Sequence, residues 1–228
     1  MSIVLSSCAA HMAMPVNLTN NSDKIPVEGF AFSAFSNKLN FGQYYVTDIN
    51  RGWTKKHDLS ILGDSSSNTE QKYNFSINKN DQLLWNVECI SGASWNQLKI
   101  ENFFGGSLSF ESSSNQQLIC IMQNHNKTAK LFMSQPSINS SLQGVMTNNG
   151  MQINVSGTEK FASTSITMGT PTGYIFSINN SPMGAVEVIN GGNIWFNKTT
   201  SPNTRSSLAT ISAVMLLYQN PRKNSEQI

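Results

Sequence analysis

The side chains able to carry acid–base, nucleophilic or metal chemistry in this chain are few and dispersed. Its 228 residues include three histidines, His11, His57 and His125, and three cysteines, Cys8, Cys89 and Cys120. Zinc sites draw on close pairs such as His-X-X-X-His or Cys-X-X-Cys, because that spacing aims two ligands at one ion, and neither pair occurs here. No metal and no cofactor is therefore expected. Cys120 and His125 can meet across a turn as a thiolate and its base. A cysteine inside Leu118-Ile119-Cys120-Ile121-Met122, however, is more economically read as core packing. Glycoside cleavage needs paired carboxylates, and no Asp or Glu falls between Glu111 and Glu159. Glu88 and Glu187 lie in apolar strands, where alternation puts them on the outer, wet face. Gly105-Gly106 and Gly191-Gly192 lack the spacing of phosphate-binding loops. The densest aromatic and basic group is Tyr44, Tyr45, Arg51 and Trp53, followed by Lys55 and Lys56. It offers stacking and cation–π contacts to a glycan, peptide or anionic ligand, and the competing account makes these rings interior filler. The expectation is a protein that binds or supports, not an enzyme.

The elements that must position these residues are strands. Alternating segments such as Tyr73-Asn74-Phe75-Ser76-Ile77 and Leu83-Leu84-Trp85-Asn86-Val87-Glu88-Cys89 suit a pleat with one wet face. Asn148-Asn149-Gly150 marks a hairpin, since Asn-Gly takes the positive φ angles of a tight turn. A second hairpin is expected from 174–178 and 185–189 across the loop 179–184, with Gly191-Gly192 then turning toward Ile194-Trp195-Phe196. The end of the chain departs from this pattern. Asn203 or Thr204 can cap a helix over about 205–218 whose residues Leu208 to Tyr218 are apolar or small on nearly every side. At 1.5 Å per residue it is too short to cross a bilayer, so it must be enclosed by protein. The fold class is thus all-β, an antiparallel β-barrel or sandwich with a buried apolar C-terminal helix. Residues 1–24 read as a flexible leader and tether, 25–220 as one antiparallel β domain, and 221–228 as a disordered tail. Cys89 and Cys120 both lie in strands, and an oxidising compartment permits a disulfide between them, two buried free thiols being the alternative.

Composition narrows the partners. Charged residues make up 12% of the chain, about half the roughly 25% usual in soluble domains, and the net charge is +2. Without clustered Lys and Arg there is no field for nucleic acid, and none is expected as a partner.

Three resemblances add to these readings. Leu5-Ser6-Ser7-Cys8 resembles the lipobox of bacterial lipoproteins, which implies a diacylated Cys8 as mature N-terminus, a cell-envelope location at the outer membrane or periplasmic face, and the lipid membrane as a partner. Met1-Ser2-Ile3-Val4-Leu5 lacks the basic and longer apolar regions of an export signal, and the alternative is a cytoplasmic protein in which Cys8 is incidental. A run of hairpins closing on an apolar helix over about 173–218 resembles the tubby-like and LURP-one-like barrels, whose last helix threads a closed sheet. That resemblance implies an intracellular lipid-binding or scramblase-like module as an alternative function. Leu59-Ser60-Ile61-Leu62-Gly63-Asp64-Ser65 is similar to the nucleophile turn of GDS-type esterases, with Ser65 as nucleophile. Ser66 stands where those enzymes have a leucine-like residue, though, and no histidine follows His125 to supply a base. An atypical Ser or Cys hydrolase is the remaining alternative. The leading expectation is an envelope lipoprotein with a binding or structural role and an unknown protein, glycan or lipid ligand.

Overall fold

A residue that alternates with its neighbours between oil and water can satisfy both only in a pleated sheet, and the chain does so for most of its length. The computed structural model describes residues 10–30, 37–52, 55–61, 64–93, 97–103, 106–111, 116–125, 127–137, 140–162, 164, 166–167 and 169–219. For 55–61, 64–69, 93, 97–103 and 106–111 it describes backbone alone. Numbered in chain order, the strands are β1 (Ser22–Pro26), β2 (Leu39–Phe41), β3 (Tyr44–Arg51), β4 (Lys55–Ile61), β5 (Asp64–Lys79), β6 (Gln82–Ala93), β7 (Gln97–Phe103) and β8 (Gly106–Glu111). They continue with β9 (Gln116–Asn124), β10 (Lys127–Ser134), β11 (Gln143–Asn148), β12 (Met151–Thr158), β13 (Gly173–Ile178), β14 (Ser181–Glu187) and β15 (Asn193–Asn197). Among the described residues two helices complete the set, α1 (Val16–Asn20) and α2 (Pro202–Leu217).

Twelve strands pair antiparallel in the order β1-β15-β14-β13-β12-β11-β10-β9-β6-β5-β3-β2, with β4 attached to the far half of β5 and β7–β8 forming a hairpin of its own. Just beyond β1, Glu28 exchanges two backbone hydrogen bonds with Asn40 of β2, at 2.8 and 3.1 Å, so the two ends of the strand order meet at one bridge and the sheet forms a nearly closed barrel. This decides between the two architectures left open by the sequence.

The lumen is filled by α2. All eleven residues from Ser207 to Leu217 are buried, and the surrounding core draws on β2, β3, β5, β6 and β9 to β15. Several bonds tie it to the wall: the Tyr73 hydroxyl of β5 donates to the Val214 carbonyl at 3.2 Å, Asn148 of β11 donates to Ser207 Oγ at 3.1 Å, and Arg205 donates to the Asp23 carboxylate of β1 at 3.0 Å. The helix begins at Pro202, three residues before the sequence-derived start. Ser201 is the cap, its hydroxyl accepting from the Thr204 N–H at 3.2 Å, and Pro202 is preset for the first turn.

The two ends of the barrel differ. Tight turns at Asn80-Asp81, Asn149-Gly150 and Asn179-Asn180, all at positive φ, close the end near the start of α2. The expected loop 179–184 is therefore a two-residue turn, and Ser181 and Pro182 belong to β14, accommodated by a bulge between Phe176 and Ser177. Longer connections, 135–142, 159–172 and 188–192, gather at the end where α2 stops. That asymmetry leaves one closed end and one built from loops.

The N-terminal segment departs from its reading as a flexible tether. From residue 10 onward it is packed: Met12 and Leu18 are buried against Ala185 and Trp195 on the outside of β14 and β15, and Ser22–Pro26 pairs with β15 as a barrel strand. The polar composition hid this because backbone pairing carries the strand and two apolar side chains suffice to pin α1.

Candidate functional site

At the loop-built end, the last turn of α2 forms the floor of a cavity of about 580 Å³. Met215 and Leu216 supply its apolar base, Phe30, Tyr174 and Tyr218 its aromatic surface, and Gln116, Gln135, Ser140, Ser141 and Thr170 its hydrogen-bonding groups. Among the described residues Glu159 is the one charged residue in its lining, and no Lys, Arg or His lines it. Glu159 Oε1 accepts from the Ser141 hydroxyl at 3.0 Å, and among the described residues its carboxylate has no ion-pair partner. The Gln116 amide donates to the Tyr218 hydroxyl, which fixes that ring at the edge of the opening. The Tyr174 phenol is wholly buried, and desolvation drives its pKa far up, so it serves only as a neutral group. Burial likewise raises Tyr73, whose titration is pushed further up by Tyr174 and drawn down by Arg51.

One wall of the cavity includes Glu159, and the residues next to it, Lys160 and Ala162, are held from outside by the N-terminal segment. Ala13 N–H donates to the Lys160 carbonyl at 2.8 Å, and Ala162 N–H donates to the His11 carbonyl at 2.9 Å. The latch beneath is Glu187. Its carboxylate is fully buried and accepts from the Met12 N–H at 2.9 Å and from the Asn193 amide at 2.6 Å, with His11 Nδ1 at 3.0 Å. Alternation placed Glu187 on the outer face correctly. The face is dry there because residues 10–14 roof it. Glu187→Ala is expected to leave the Met12 and Asn193 donors without an acceptor, to cost about 2–3 kcal/mol, and to free the segment. Limited proteolysis followed by mass spectrometry checks this: cleavage between residues 10 and 20 should accelerate, and an unchanged rate would mean that Glu187 is no latch.

The residues singled out from the sequence fall elsewhere. Tyr44 and Tyr45 are neighbours in β3 and so face opposite ways. Tyr44 is buried in the core, its ring 5.6 Å from Phe41 and 6.1 Å from Phe196, while Tyr45 is exposed. Desolvation raises the Tyr44 pKa, partly offset by Ser206, the charge of Arg205 and Gln43. Arg51 sits at the other end of β3, half-buried, where desolvation lowers its pKa and Tyr73 opposes the shift. It lies seven residue steps along the strand from Tyr44, roughly 23 Å, so these residues do not form one site. Trp53 and Cys8 lie outside the described residues.

Cys89 and Cys120 face each other in register across β6 and β9, their sulfurs bonded as a disulfide. Both are fully buried, whereas His125 is exposed in the turn after β9, so no thiolate pair forms. Ser65 lies in β5, paired with Ser60 of β4, in a hairpin ladder and not on a strand-to-helix turn. Among the described residues no cluster of three His, Cys, Asp or Glu side chains is placed to hold a metal. No described helix is long and apolar enough to cross a membrane.

Fold and site together define an antiparallel barrel plugged by its own C-terminal helix and open to a polar cavity at the loop end. No family model matches the chain, and neither a curated protein nor a solved structure matches it.

Proposed function

We propose that the protein is an exported component of the bacterial cell envelope, lipid-anchored at Cys8, which binds a small polar ligand at the barrel mouth without transforming it. The observation that carries the binding role is the cavity above α2, where, among the described residues, amides, hydroxyls and aromatic rings surround a single carboxylate and no basic side chain. Such a lining disfavours phosphate and carboxylate ligands. It suits a neutral or singly cationic polyhydroxyl ligand of the saccharide kind, whose ring lies against Tyr218 or Phe30 while Gln116, Gln135 and Ser140 meet its hydroxyls. Export is supported by Leu5-Ser6-Ser7-Cys8 and by the bridge between Cys89 and Cys120, which persists in an oxidising compartment.

Ligand-observed NMR with glucosamine, N-acetylglucosamine and glucuronate tests the cavity. Saturation transfer to the first two and not to the anionic sugar is expected, lost in Ser141→Arg, which brings a cation to Glu159 and fills the opening. Transfer to none of the three, or transfer unchanged in Ser141→Arg, would overturn the assignment.

A second reading is favoured by the twelve-strand order around a buried C-terminal helix, the layout that the tubby-like resemblance implies. In it the barrel is a lipid-headgroup module and Cys8 is unmodified. Flotation of non-acylated protein with anionic and with neutral vesicles separates the two, since retention on anionic vesicles alone belongs to this second reading.

A further inference from the structure

Val16 and Ile166 are the two most exposed large apolar side chains among the described residues, at 75% and 69%. Each is next in sequence to the lining of one groove. Val16 follows Pro15, which lines the groove with Ala13, Met14 and Ile175, and Ile166 precedes Thr167, which also lines it. Ser141, Glu159 and Thr167 line both this groove and the mouth cavity, so the two adjoin at the rim of the barrel.

The described N-terminal residues that follow Cys8 are attached beside the same rim. The Ala10 carbonyl accepts from the Asn190 amide at 2.5 Å, and residues 11–13 are held by Glu187, Lys160 and Ala162. Cys8 is two residues before Ala10, a reach of about 7 Å even when fully extended. A lipid on Cys8 with so short a spacer holds this rim at the bilayer and gives the barrel little freedom to turn away.

We infer that the groove face docks on the membrane surface, with Val16 and Ile166 entering the boundary between headgroups and acyl chains and the cavity mouth opening at the lipid surface. This rests on the lipid anchor proposed above and adds an orientation to it. Exposed aliphatic side chains that are idle in water gain by entering that boundary, and Lys160, exposed in the lining of the groove, can reach lipid phosphates without entering the apolar layer. The ligand is then one presented at the membrane surface.

The test uses the full chain, acylated in a bacterial host and reconstituted into vesicles with brominated acyl chains. A polarity-sensitive fluorophore is placed on a cysteine introduced as Val16→Cys, Ile166→Cys or, at the tight-turn end, Leu83→Cys. Blue-shifted and bromine-quenched emission at positions 16 and 166 but not at 83 is the expected result. Vesicle-bound protein with equal emission at all three positions would overturn the docking and leave the anchor standing. Absence of the acyl mass on Cys8 would overturn both. Blue shifts at 16 and 166 that depend on protein concentration and need no vesicles would assign the face to a second copy of the chain.

Discussion

Ile211→Asp is expected to unfold the protein, whereas Asn203→Asp is expected to leave it stable. Ile211 lies in the middle of α2 with none of its surface exposed. The substitution removes an aliphatic side chain worth about 2–3 kcal/mol and puts in its place a carboxylate whose uncompensated burial costs several more. Together these reach about 5–8 kcal/mol, comparable with the whole net stability of a typical domain, about 5–15 kcal/mol. Asn203 is exposed in the first turn of the same helix, where a negative charge meets the positive end of the helix dipole, so aspartate there is neutral to slightly stabilising. Urea titrations followed by circular dichroism distinguish the two. A cooperative Ile211→Asp variant with the parent's midpoint would show that the helix is not enclosed. A chain ending before Pro202 should fare as badly, because the inward side chains of the barrel, among them Tyr73, Phe176 and Phe196, would then face an empty lumen.

What the sequence disclosed and what it hid follow one physical division. The enclosed helix was legible because an apolar stripe that runs all the way round admits only one solution in water. The hairpin at Asn149-Gly150 was legible because turn chemistry is local. The β1 strand was not, since Ser22-Asp23-Lys24-Ile25-Pro26 has no alternation and owes its place to pairing with β15 and to the need of a closing sheet for a partner. Tyr44 and Tyr45 were grouped with Arg51 by proximity in sequence, which a strand converts into opposite faces and opposite ends. The mouth lay beyond reach for the converse reason. Gln116, Ser141, Glu159 and Tyr218 are spread over half the chain, belong to residue types that leave no motif, and meet only through the strand order. Glu187 could have been found. A carboxylate in an apolar strand beside Asn193 needs buried partners, and the partner that sequence reasoning missed was the N-terminal segment itself.

Replacing both Cys89 and Cys120 by alanine is expected to lower stability by about 3–4 kcal/mol, because the bridge closes a loop with a sequence separation of 31. Its place in the sheet explains why that loop matters. Elsewhere on the path from β9 to β15 each strand follows its neighbour in sequence, but β6 and β9 are neighbours separated by the excursion that forms β7–β8. Bringing them together therefore costs more chain entropy than closing a two-residue turn, and a covalent bond at Cys89–Cys120 removes most of that cost from the unfolded ensemble. Two free thiols at the same positions would give a different result. Their replacement by alanine would cost only the lost packing of two sulfurs, and reductant would leave the parent unchanged. The decisive measurement is a urea titration of the parent with and without dithiothreitol beside the double variant. Reduced parent and double variant should coincide well below the oxidised parent. Alkylation of Cys89 and Cys120 in denaturant without reductant, in protein taken directly from its native compartment, would rule the bridge out and with it the support it gives to export.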